Sequence, residues 1–284
     1  DERGHLWRVA RAPNGARTIR RFADTGGRPL GLAFDRTAGA FRLLVADARR
    51  GLLAVSAEGA VSVLAERAGG RPLVYTAAVA PAPDGRIYFT EASDRGYGSE
   101  LFTELLEARP HGRLLVRDPE GGDPRELLRD LYFPVGLALS PTGDFLLIAE
   151  QARYRIRRFW LRGSRAGTTD LFADNLPGLV GGLAYAPDGS LWANITEPRI
   201  DLVDRTAGEP RLKNLLAKLP PSVLKGNEKG YGLVLVLDGD GRISKSLHDP
   251  SGRLNRLTGL AVTATDLYTG TSGENGVGHL PLAR

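Results

Sequence analysis

The sequence predicts an all-β chain, a six-bladed β-propeller with two short helical cap insertions. Three observations carry that expectation. A unit recurs along the chain: an apolar stretch, a tight turn, then a strand ending in an acidic or small polar residue. Two more short strands follow most copies, and four-strand units at a period of tens of residues are how propeller blades read in sequence. The 36 Gly and 18 Pro in 284 residues supply the turns that many short strands need.

The units follow in order. Pro29–Asp35 pairs with Leu43–Asp47, Val79–Gly85 with Ile87–Glu91, and Val135–Pro141 with Phe145–Glu150. Gly182–Gly189 pairs with Leu191–Asn194, and the shorter Thr258–Val262 with Leu267–Gly270. Outer strands are expected at Gly51–Val55 and Val61–Leu64, Arg113–Val116 and Arg125–Leu128, and Ile156–Phe159 and Asp170–Phe172. The start, His5–Val9 and Arg17–Phe22, reads as pieces of a sixth unit whose ring is completed by Val277–Leu282, since an open ring leaves an unpaired strand edge. The whole of 1–284 is thus expected to be one propeller domain with its first blade incomplete at the N-terminus.

Two insertions break the rhythm. Ser99–Ala108 places Leu101, Phe102, Leu105 and Leu106 on one helical face before Pro110. Arg199–Leu224 carries Leu212, Leu215, Leu216 and Leu219 at helical spacing before Pro220-Pro221. Both are read as caps over one mouth of the propeller. Lys213 and Lys218 leave contact with a membrane surface as the less favoured alternative.

Composition excludes several classes. The net charge of +5 comes from scattered residues, mostly Arg, and a nucleic-acid binder needs a basic patch interleaved with aromatics. Arg153–Trp160 alone approaches that pattern, and its alternation suits a half-buried strand with Arg on the wet face. Zero cysteines remove disulfides, thiolate chemistry and Cys-based zinc sites and leave the compartment open. No apolar run nears the ~20 residues of a membrane helix, and Asp1-Glu2-Arg3-Gly4 does not read as a signal peptide.

His5, His111, His248 and His279 are widely spaced, without a ligand pair, and His248 is read as structural. Gly270-Thr271-Ser272-Gly273-Glu274 lacks the Gly-x-Ser-x-Gly spacing of a nucleophile elbow. Asp47, Glu91 and Glu150 recur at the ends of second strands. A repeated carboxylate there is read as structural, accepting backbone N–H groups, against a proton-sharing pair as the alternative. Tyr75, Tyr132, Tyr185 and Tyr231 either line a pocket or pack between blades.

These residues resemble the strictosidine-synthase-like family within the gluconolactonase-related propellers. The matches are Thr25–Leu32, Ala46–Leu53, Ile87–Ser93, Phe133–Ser140, Ala149-Glu150 with Arg155–Arg158, and Ser246–Gly252, in the family's order over nearly the whole chain. The resemblance implies a six-bladed propeller whose central pocket, in the wider lactonase superfamily, holds calcium on a Glu and several Asn or Asp. The positions matching those ligands are Ala77-Ala78, Val135 and Val180-Gly181-Gly182, whose side chains cannot coordinate it. No metal or cofactor is therefore expected. The stretch matching the catalytic glutamate of strictosidine synthase, Leu260–Asp266, offers only Asp266. Two functions stay open: a small-molecule hydrolase of lactonase or esterase type acting in a central pocket, and a non-catalytic propeller binding a small apolar ligand or a protein partner. Tyr75, Thr76, Ala77, Val135, Gly182 and Thr258 are the candidate pocket-lining residues; no catalytic residue is assigned.

Overall fold

A computed structural model describes residues 1–11, 17–37, 42–95, 101–107, 109–206, 209, 216, 230–273 and 276–282. They form two compact units, Asp1–Tyr97 with His111–Leu131, and Gly98–Pro110 with Tyr132–Arg284.

The first unit opens on a hairpin of β1 (His5–Arg11) and β2 (Arg17–Asp24). Its first blade is β3 (Pro29–Asp35), β4 (Arg42–Asp47), β5 (Gly51–Ser56) and β6 (Val61–Ala65), paired in that order. A small bracket of β7 (Arg67–Ala68) and β8 (Arg71–Pro72) leads to the second blade, β9 (Thr76–Pro81), β10 (Ile87–Glu91), β11 (Gly112–Arg117) and β12 (Arg125–Leu131).

The second unit holds α1 (Leu101–Glu107) and a blade of β13 (Pro134–Leu139), β14 (Phe145–Glu150), β15 (Arg155–Trp160) and β16 (Thr169–Ala173). The next blade is β17 (Gly178–Tyr185), β18 (Leu191–Pro198), β19 (Gly232–Leu237) and β20 (Ile243–Asp249), with α2 (Asp201–Arg205) between its second and third strands. The last sheet has three strands, β21 (Leu257–Val262), β22 (Asp266–Thr271) and β23 (Val277–Pro281).

Side chains alternate across each strand, and blades stack on both faces, so middle strands read as unbroken apolar runs. In β4, Leu44 and Ala46 meet Val79, Phe89 and Leu115 of the second blade. Leu43 and Val45 turn the other way, onto Leu6 and Ala23 of the hairpin. In the second unit, Leu147 and Ala149 pack with Val180, Ala193 and Leu235. Trp192, Val234 and Val236 face Leu257 and Leu267 of the last sheet. Hairpin turns rest on glycine where the backbone goes left-handed, as at Gly189 (φ +84°) after Asp188.

Two expectations need correction. The propeller has five blades among the described residues, four of four strands and one of three, where six were expected. The strands assigned to a sixth blade pair elsewhere: β1 joins β2 alone, and β23 is the third strand of the last sheet. β3 leaves Leu30, Leu32 and Phe34 exposed, and the hairpin leaves Trp7, Val9 and Ile19 exposed. Among the described residues helix is nearly absent: α1 has seven residues, α2 five, and Gln151–Arg153 makes one 3-10 turn. The Leu212 to Leu219 stripe falls almost wholly outside the described residues. No described helix is long and apolar enough to cross a membrane.

Asp35 closes the first blade's inner strand and gives a pH-dependent contribution. Its burial opposes the charge. Hydrogen bonds from Thr37 Oγ1 (2.6 Å) and N–H (2.9 Å) and from Arg42 Nε (2.7 Å) outweigh that and hold the carboxyl below its usual range. The stability this adds is present above the ordinary carboxylate pKa of about 3.9 and is lost as pH falls through the lower folded value. Urea midpoints of the wild type and Asp35→Asn are expected to differ at about pH 7 and to converge by about pH 2. A gap constant with pH would show the ion pair to be inert.

Candidate functional site

Each blade breaks its ladder near the start of its innermost strand. Pro29 faces Asp47 and Gly31 faces Ala46, so Leu30 is skipped. Ala77 is skipped in β9 and Val135 in β13 by the same shift. In β17 the pair Gly181-Gly182 lies opposite Asn194, and in β21 Thr258-Gly259 lies opposite Gly270. A bulge of this kind bends the strand and re-aims a side chain.

The repeated carboxylates stand beside these bulges. Asp47 Oδ1 accepts N–H from Arg28 (2.8 Å), Arg49 (2.9 Å) and Arg50 (3.0 Å), and Oδ2 accepts the Thr25 hydroxyl (2.8 Å). Glu91 Oε1 accepts the Val74 N–H (2.8 Å) and Oε2 the Arg113 Nε–H (2.6 Å). Glu150 Oε1 accepts the Tyr132 N–H (3.0 Å), and Oε2 accepts from Arg155 (2.6 Å) and Arg157 (3.0 Å). All three are buried. Each ties the loop entering its blade to the end of the second strand, so the structural reading of these acids holds. In β18 the comparable position is Asn194, fully buried, whose Nδ2 donates to Leu257 O while Oδ1 has no hydrogen-bond partner.

The pocket-lining candidates fall on or next to the bulges. Thr76 and Ala77 are buried, Tyr75, Val135 and Gly182 half-buried, and Thr258 exposed. Thr76, Ala77 and Tyr75 lie in the first unit and the other three in the second. Ala77, Val135 and Gly182 bring no oxygen donor, and no cluster of three or more His, Asp or Glu gathers among the described residues. A hard cation such as calcium wants six to eight oxygens, so the donor set does not fit the calcium of the wider superfamily. Asp266, the one acid in the stretch compared with a catalytic glutamate, is held by His279 Nε2 (2.6 Å) and Thr265 Oγ1 (2.6 Å) at the start of β22. Of the four tyrosines, Tyr185 packs against the core of the second unit, and burial pushes its phenol up to about 12. Arg153 stacks over the Tyr132 ring at 4.2 Å.

A cavity of about 520 Å³ lies elsewhere in the first unit, lined by Ala48, Arg49, Arg50, Glu66, Arg67, Pro72, Leu73 and Val74. Pairing builds it. Leu52 opposes Ala65, which brings the β4–β5 turn alongside Glu66, and Gly51 (φ +79°) sits where a Cβ would meet the Ala65 carbonyl at 2.3 Å. Arg50 Nη1 donates to Thr25 O (2.6 Å) and Arg67 Nη2 to Gly70 O. Both guanidinium groups are thus anchored on carbonyls, and among the described residues neither they nor Glu66 join an ion pair. These residues escaped the sequence reading because Arg49-Arg50 and Glu66-Arg67 look like ordinary surface charge. The signal was the hairpin between them, whose register sets the two pairs side by side.

Known proteins resemble this chain along most of its length. An adipocyte plasma membrane-associated protein of Bos taurus is 33% identical over 264 residues, 89% of this chain and 63% of that protein, so the chain spans under two thirds of that relative. A strictosidine synthase-like protein of Arabidopsis thaliana is 31% identical over 267 residues, 93% of this chain and 69% of that one. A gluconolactonase structure from Xanthomonas campestris aligns with a TM-score of 0.64 at 20% identity, covering 93% of this chain and 75% of that one, which is a likeness of fold alone. The strictosidine synthase family model matches residues 78–164, the second blade and much of the third. With that match inside an alignment that runs nearly end to end, the chain belongs to the strictosidine synthase-like family.

Proposed function

We propose that the chain is a small-molecule hydrolase of lactonase or esterase type that needs no metal. The observation that supports this is Glu66, with no ion pair among the described residues, lining one cavity with Arg49, Arg50 and Arg67. A carboxylate in that setting serves as general base for water. Guanidinium groups oppose the charge that develops on the carbonyl oxygen in the transition state. Water loses a proton to Glu66 as its oxygen bonds to the carbonyl carbon. The ring or ester C–O bond then breaks, and the leaving oxygen takes up the proton. The product is a carboxylate, which the same arginines suit.

The test is proton release from a panel of small lactones and aryl esters. Glu66→Gln is expected to lower kcat by about 100-fold or more, the usual contribution of a general base, with KM little changed. Arg67→Ala is expected to act mainly on KM. Equal turnover by Glu66→Gln would sink the reading. A second reading, a propeller that binds without chemistry, is favoured by the absence of donor atoms at Ala77, Val135 and Gly182. Calorimetric binding of a hydroxy acid with no turnover of any lactone or ester would select it. The arginine lining then points to an anionic ligand rather than an apolar one.

A further inference from the structure

Outside that cavity, three side chains on the fourth blade form a hydrogen-bonded chain. Ser246 and His248 lie two apart on β20, so both side chains leave the same face of the strand. Ser246 Oγ is 2.8 Å from His248 Nε2, and Tyr231 OH is hydrogen-bonded to His248 Nδ1. The two rings meet edge to face with centroids 5.8 Å apart, and Tyr231 itself packs against the core of the second unit. The imidazole is therefore held from behind while Ser246 and His248 stay exposed.

We infer that Ser246 is a nucleophile activated by His248, with Tyr231 as a positioning residue, and that this chain takes acyl groups from small activated esters. The roles follow from the two ring nitrogens. With Nδ1–H donating its hydrogen bond to the Tyr231 oxygen, Nε2 keeps its lone pair, the tautomer that can take a proton from a serine hydroxyl. Ser246 Oγ bonds to the ester carbonyl carbon and its proton passes to Nε2. That proton goes to the leaving alcohol as the ester C–O bond breaks. Water then attacks the acyl-serine as His248 Nε2 takes one of its protons, and that proton passes to Ser246 Oγ as its bond to the acyl carbon breaks, which releases the carboxylic acid and restores Ser246. Among the described residues β20 is the outer strand of its sheet, so its outward N–H groups have no ladder partner. Such groups are donors for an oxyanion. This site shares no residue with the Glu66 cavity and does not rest on it.

The experiment is covalent labelling of the whole chain with a fluorophosphonate probe, read by peptide mass spectrometry. An adduct on Ser246 is expected. Ser244, two residues earlier on the same strand with its hydroxyl on Val236 O (3.1 Å), serves as the internal reference and should stay unlabelled. His248→Gln is expected to slow labelling by about 100-fold, as loss of a general base does. Tyr231→Phe should give a smaller loss, with circular dichroism showing both variants folded. No adduct on Ser246, equal labelling of Ser244, or an undiminished rate in His248→Gln would each overturn the assignment. Lactone turnover through Glu66 is a separate readout, so either site can fail alone.

Discussion

Glu150→Ala is expected to cost about 3 kcal/mol of stability, at the lower end of the range for breaking a buried ion pair. Glu150 is fully buried at the end of β14, directly across from Arg155 in the ladder to β15. Its two oxygens serve Arg155, Arg157 and the Tyr132 N–H together. Removing the carboxylate strands all three donors. The low end applies because Arg155 and Arg157 are each 19% exposed and can turn partly to water. Urea denaturation measures the loss. Glu150→Gln keeps an acceptor for Tyr132 and gives up only the charge, so it should fall between wild type and alanine. A cost under about 1 kcal/mol, the worth of an exposed pair, would show that the acid does not anchor the blade. Glu91, paired with Arg113 at 2.6 Å, holds the equivalent place in the second blade, which makes Glu91→Ala an internal repeat of the same test.

Gly136→Ala is the second large effect expected, about 3 kcal/mol or more, because overpacking against backbone leaves nothing free to rotate away. A Cβ at Gly136 would lie 2.1 Å from the Gly181 carbonyl oxygen and 2.9 Å from Ala149 Cβ. The innermost strands of two neighbouring blades touch there through their main chains. Relief requires β17 to move off β13, which opens the core of Leu147, Val180 and Ala193. For a chain of this size the melting temperature should fall by about 6–12 °C. Calorimetry that finds Gly136→Ala within a degree of wild type would mean that the two strands stand farther apart than this contact allows.

Part of this protein was legible in its sequence because the information is local. Unbroken apolar runs such as Leu43–Ala46 and Phe145–Ala149 mark strands buried on both faces, and Asp-Gly pairs such as Asp188-Gly189 mark the turns between them. The acid that recurs at the end of three second strands is legible as structural because its partners, Arg28, Val74 and Tyr132, lie just before the strand that it braces. The blade count was not legible. Nothing in His5–Arg11 or Val277–Pro281 states which strand it will pair with. A strand's alternation is the same in a free hairpin, in half a blade or at the end of a three-stranded sheet. The candidate site divides the same way. Ala77, Val135 and Gly182 could be picked out from their missing donor atoms. That they sit at ladder bulges is decided by register, a property of two strands and not of one. Glu66 stands beside Arg49 and Arg50, and Tyr231 behind His248, only because antiparallel pairing folds distant segments onto each other. Sequence composition sets which side chains a strand carries; tertiary pairing alone sets which of them meet.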